Sequence, residues 1–103
     1  MTDELLGYAV ELCEATRKEE MLERGVSPRG VIALVRMSRA HAMVNERSYV
    51  EPEDIQAVYK DVCSHRVQLR PQARIEGINE RQILDNILDR VKPPQISKEW
   101  ANV

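Results

Sequence analysis

A chain of 103 residues, 43% hydrophobic and 31% charged, fits one folded domain with a modest core and does not fit a disordered segment. Aromatics make up 4% and Phe is absent, so the core must come from Leu, Ile, Val, Ala and Met, which suits helices better than a β-sandwich. The net charge of −2 argues against a free-standing nucleic-acid binder, and no apolar run approaches the ~18 residues of a membrane span.

The first helix is expected over about Asp3 to Arg17. Leu5, Leu6, Ala9, Val10, Leu12, Cys13 and Thr16 recur there at helical spacing, with Thr2 or Asp3 as the cap. "RKEEMLERG" loses the periodicity and reads as a charged loop or frayed helix end. The second helix starts at Ser27, a good N-cap, with Pro28 at the first helical position, where a missing N–H costs nothing. Val31, Leu34, Val35, Ser38 and Ala42 fall on one face; Arg29, Arg36 and Arg47 are expected on the other, and the helix should end near Asn45. Gly25 lets the chain turn tightly into this helix.

Ser48 to Val50 read as extended. Pro52 opens a third helix, with Glu53 and Asp54 in the first turn where carboxylates suit the dipole. It turns Ile55, Val58, Tyr59, Val62 and Cys63 inward and ends near His65 or Arg66. "VQLRPQARIEGI", with Pro71 and Gly77, reads as a short strand or extended loop. Asn79 and Gln82 form a capping-box pattern opening a fourth helix, whose stripe is Ile83, Leu84, Ile87, Leu88 and Val91. Pro93 and Pro94 stop it, and residues 95–103 form a tail that Trp100 could dock. The expected fold is all-α: a small four-helix bundle over residues 1–94 with one or two short extended connectors.

Charge is uneven along the chain. Residues 1–24 carry seven acids and three bases, whereas residues 25–50 carry one acid and four arginines. The glycines at 7, 25, 30 and 77 form no GxxxxGK[ST] loop, so this chain alone is not expected to hydrolyse nucleotide. Cys63-x-His65 falls short of a zinc site unless Cys13 and His41 join it, and no metal is expected. Cys13 or Cys63 beside a histidine would be needed for a small thiol enzyme. Two thiols without a signal peptide read as reduced and cytoplasmic. Arg29 is the sharper feature. A helix N-terminus already offers unpaired N–H groups and partial positive charge, and an arginine in that turn adds five donors, a design suited to a phosphate supplied by another domain.

Gly25, Ser27, Pro28 and Arg29, followed by Arg47, Tyr49, Val50, Pro52, Glu53, Asp54 and Ile55, occur in an order that resembles the C-terminal lid of MoxR-type AAA+ ATPases. His65-Arg66, Glu76-Gly77 and the run from Leu84 to Val91 extend the resemblance over roughly residues 3–94. It implies that Arg29 is the sensor-2 arginine, reaching the γ-phosphate of ATP, with Ser27 and Pro28 beside it. ATP and Mg would be bound mainly by an αβ core that this chain lacks, so Met1 is expected to lie within a longer protein. The implied partners are that core, the neighbouring subunits of a ring and an unidentified client. Within the pattern, Gly30 replaces the usual alanine and should weaken the first turn, and Glu51 replaces threonine as a poorer N-cap. The loop before Gly25 is short for the pattern. The alternative is a histone-like dimer built on the long helix, binding DNA through its arginines.

Overall fold

A computed structural model describes residues 1–95, so the expected tail from 95 to 103, with Trp100, lies outside the described residues apart from Gln95. The described elements are α1 (Asp3–Arg17), β1 (Leu22–Arg24), α2 (Pro28–Val44), α3 (Pro52–Cys63), β2 (Gln68–Leu69), α4 (Pro71–Ile75) and α5 (Glu80–Arg90). The fold is helical as expected, but the described residues form five helices where four were expected. The extra one is α4. Pro71 fits its first turn, and Gly77, at φ 77°, closes the turn that follows it.

The second difference is the segment expected to be a charged loop. Leu22–Arg24 pairs antiparallel with Gln68–Leu69, placing Leu22 opposite Leu69 and Arg24 opposite Gln68. Two leucines on one face of this ribbon are buried, while its polar residues face out. The pairing continues as Arg70 N–H donates to the Met21 carbonyl at 2.9 Å and Arg70 Nε to the Glu20 carbonyl at 2.8 Å.

The helix starts follow their sequence signals. Thr2 Oγ1 accepts from Leu5 N–H at 3.2 Å. Asn79 Oδ1 accepts from Gln82 N–H, and Gln82 Oε1 accepts from Asn79 N–H, each at 2.9 Å. The core gathers Leu5, Leu12, Leu34, Ile55, Tyr59, Leu84 and Ile87 from four helices, all essentially inaccessible. Tyr59 satisfies its hydroxyl by donating to the Leu12 carbonyl at 2.8 Å, which ties α3 to α1. Surface pairs such as Lys60–Asp85 at 2.8 Å and Arg81–Asp61 at 2.6 Å link α3 to α5 and add little stability.

Gly30 is a correction. Its effect on helix propensity is secondary, because it is buried in the packing of α2's first turn. A Cβ there would lie 2.2 Å from Val26 Cγ1 and 3.3 Å from Arg66 Cδ. The glycine makes room for the fully buried Val26. Gly30→Ala is therefore expected to destabilise the lid by about 1–3 kcal/mol through overpacking. Combined with Val26→Ala, the loss should be smaller than the sum of the two single losses in chemical denaturation.

Candidate functional site

The start of α2 is set against the end of α1. Thr16, fully buried in α1's last turn, accepts from Val26 N–H through Oγ1 at 2.8 Å and donates to the Cys13 carbonyl at 2.5 Å. Arg17 Nε donates to the Val26 carbonyl at 3.0 Å. Gly25 lies so close beneath that a Cβ would sit 2.7 Å from Arg17 N and 2.8 Å from its Cα. Backbone atoms cannot yield as a side-chain tip does, so glycine is required here by close approach.

Ser27 occupies the N-cap position, but its side chain makes no capping bond, contrary to expectation. The hold on Val26 from α1 fixes the turn in its place. Pro28 takes the first helical position, and Gly30 N–H and Val31 N–H donate to the Ser27 carbonyl at 2.9 and 3.3 Å. Arg29 follows directly. It is exposed and, among the described residues, its side chain makes no salt bridge or hydrogen bond. No acid occupies this first turn. Ser27, Pro28 and Arg29 thus share one exposed, positively biased helix start. Beside it, between α1 and α2, opens a groove of about 370 Å³ lined by Val10, Cys13, Val26, Pro28, Val31 and Ile32, together with Glu14 and Arg17.

Of the arginines expected with Arg29 on the outer face of α2, Arg36 is exposed there, whereas Arg47 is not on the helix at all. The helix ends at Val44 in a Schellman turn. Glu46 N–H donates to the Met43 carbonyl and Arg47 N–H to the Ala42 carbonyl, each at 2.9 Å, with Glu46 at φ 61°. That reversal carries Arg47 back to Asp54. Asp54 is fully buried. Its Oδ1 takes the Arg47 Nη2 donor and lies 2.6 Å from His41 Nδ1, and its Oδ2 accepts from Glu51 N–H at 2.7 Å. Burial would push the Asp54 carboxyl up, but the Glu51 N–H, Arg47 and His41 outweigh it and hold the group below its ordinary value. Asp54 is therefore the buried anchor between the end of α2 and the start of α3. The Glu51-x-x-Asp54 spacing was the available sequence signal, since an acid at the third helical position commonly turns back to the N-cap N–H.

Of the histidines and cysteines that metal or thiol chemistry would need, only Cys13 and Cys63 lie beside each other. His41 is committed to Asp54, His65 is exposed, and Cys13 and Cys63 are 1% and 0% exposed. Among the described residues no three His, Cys, Asp or Glu side chains gather as metal ligands would. The neighbouring Cys63 thiol lowers the Cys13 pKa, while the Cys13 thiol and burial push that of Cys63 well above an ordinary thiol. Iodoacetamide at neutral pH is expected to modify both at least about ten-fold more slowly in the folded chain than in urea. Rapid labelling of the native chain would restore the thiol-enzyme reading.

Comparison with known proteins agrees with this geometry. The family described as AAA lid domain matches residues 14–87, and the chain belongs to that family. Its relatives place it with the MoxR type. It is 32% identical to chaperone MoxR1 of Mycobacterium tuberculosis, across 90% of this chain and 27% of that one. It is 45% identical to protein MoxR of Methylorubrum extorquens, across 71% and 20%. The uncharacterized protein YeaC of Bacillus subtilis is 40% identical across 89% and 29%. A solved structure from Cytophaga hutchinsonii, of a protein proposed to be an ATPase, superposes with a TM-score of 0.85 at 36% identity, across 91% of this chain and 31% of that one. The chain therefore spans less than a third of each of these proteins. Family membership also displaces the histone-like reading. No helix among the described residues is long and apolar enough to cross a membrane.

Proposed function

We propose that this lid completes an ATP site formed chiefly by an αβ core, with Arg29 acting as the sensor-2 arginine on the terminal phosphate. The observation that carries the reading is the state of Arg29: an exposed guanidinium, unpaired among the described residues, in the first turn of a long helix, a turn that itself holds no acid. Such an end fits a phosphate. The helix start supplies partial positive charge, and the guanidinium supplies a planar fork of donors with permanent charge.

Mg-ATP, held mainly by the core, would supply the phosphoanhydride whose cleavage drives the motor. On this side of the site, Arg29 neutralises charge at the terminal phosphoryl group, with Ser27 and Pro28 beside it at the helix start. Because α2 is joined to α1 and α3 through buried contacts, the lid moves as one body when Arg29 gains or loses its phosphate contact. That motion would carry nucleotide state to a neighbouring subunit of a ring, in a chaperone-like remodelling cycle. The test compares Arg29→Ala with Arg36→Ala in the complete ATPase. Loss of turnover confined to Arg29 supports the reading, and equal turnover in both variants removes Arg29 from the mechanism.

A further inference from the structure

We propose that Thr16 and Arg17 are positioning residues for Arg29, so that the arginine is aimed by the end of α1 and not by a cap of its own helix. The inference rests on the reading of Arg29 as the phosphate contact. Its basis is the way Val26 is held. Both backbone polar groups of this one residue are taken by consecutive side chains of α1, the N–H by Thr16 Oγ1 at 2.8 Å and the carbonyl by Arg17 Nε at 3.0 Å. Thr16 is itself fixed by its donation to the Cys13 carbonyl. Gly25 allows the two backbones to meet closely enough for both bonds to form.

Val26 is also gripped through its side chain, which fills the space left by Gly30 in the first turn of α2. The helix start is thus held on both sides of Ser27, whose own hydroxyl makes no capping bond. Only Ser27 and Pro28 separate Val26 from Arg29, a span of less than one helical turn. A shift of Val26 therefore reaches Arg29 almost undamped, and misplacement of a catalytic group by about 1 Å can cost up to 10²-fold in rate.

The experiment places Thr16→Val, Thr16→Ser and Arg17→Met in the complete ATPase, each alone and with Arg29→Ala. It reads kcat, KM and thermal unfolding. Thr16→Val keeps the shape but loses the hydroxyl, and is expected to lower kcat about ten-fold with little change in KM. Thr16→Ser keeps the hydroxyl and should stay within about two-fold of the parent. Arg17→Met is expected to lower kcat about three-fold. With Arg29 already removed, neither Thr16→Val nor Arg17→Met should lower turnover further. A merely structural role predicts the same proportional loss in both backgrounds, and that result overturns the proposal. So does full turnover in Thr16→Val and Arg17→Met when Arg29→Ala is impaired. If Arg29→Ala itself turns over normally, the underlying reading fails, and the positioning role fails with it by a separate result. Should Thr16→Val not fold, Arg17→Met carries the test, because Arg17 is exposed.

Discussion

Arg29→Ala in the complete ATPase is expected to lower turnover at saturating ATP by about two orders of magnitude, the range seen when one charge-stabilising donor is removed from a transition state. The fold should be untouched, because the side chain is exposed and makes no hydrogen bond or salt bridge among the described residues. Circular dichroism and thermal unfolding of the variant should match the parent. Arg29→Lys retains the charge but loses the planar fork, so it should fall between the two. The split between parameters is informative. A loss in kcat identifies charge stabilisation that grows toward the transition state, whereas a rise in KM alone would reduce Arg29 to a ground-state anchor.

The second large effect is on stability. Asp54→Ala should destabilise the lid by about 2–3 kcal/mol, leaving Arg47, the Glu51 N–H and His41 without their shared acceptor. The figure is set below that for breaking a fully desolvated pair because Arg47 is 25% exposed and part of its charge is screened by water. In a domain of this size such a loss lowers Tm by about 8–24 °C. The sign of the pH dependence follows from the carboxyl. Its folded value lies below the unfolded one, so the stabilisation is complete above the unfolded value and disappears as pH falls through the folded one. Thermal unfolding of the parent should therefore weaken below about pH 4, and Asp54→Asn should show a flatter profile there. Parallel profiles would remove Asp54 as the source.

The helices most legible in the sequence are those with local start signals. Thr2, Pro52 and the Asn79–Gln82 pair each announce a helix within four residues, and α1, α3 and α5 begin where those residues place them. Arg29 was legible for the same reason, since Ser27-Pro28 fixes the register of the first turn. What could not be read depends on distant partners. β2 falls in the stretch that reads as a short strand or extended loop, but β1 is too short to show alternation and exists because Leu22 meets Leu69. The hold of Thr16 and Arg17 on Val26 joins an ordinary helix end to an ordinary loop, and nothing in either stretch indicates the other. Arg47 leaves the outer face of α2 because Glu46 reverses the chain at φ 61° without the glycine that usually marks such a stop, so helical periodicity extended past Asn45 does not locate it. Asp54 looked like a dipole carboxylate and is instead a buried acceptor.

The β1–β2 ribbon has a kinetic consequence. It closes a loop of roughly forty residues that contains the whole of α2 and α3. Within that loop the two helices meet across a short turn, so their contacts are local and can form early. The ribbon adds only a few hydrogen bonds and must wait until the helical pair has brought residues 24 and 68 together. The ribbon is therefore expected to close last. Weakening it should chiefly accelerate unfolding and leave the folding rate nearly unchanged.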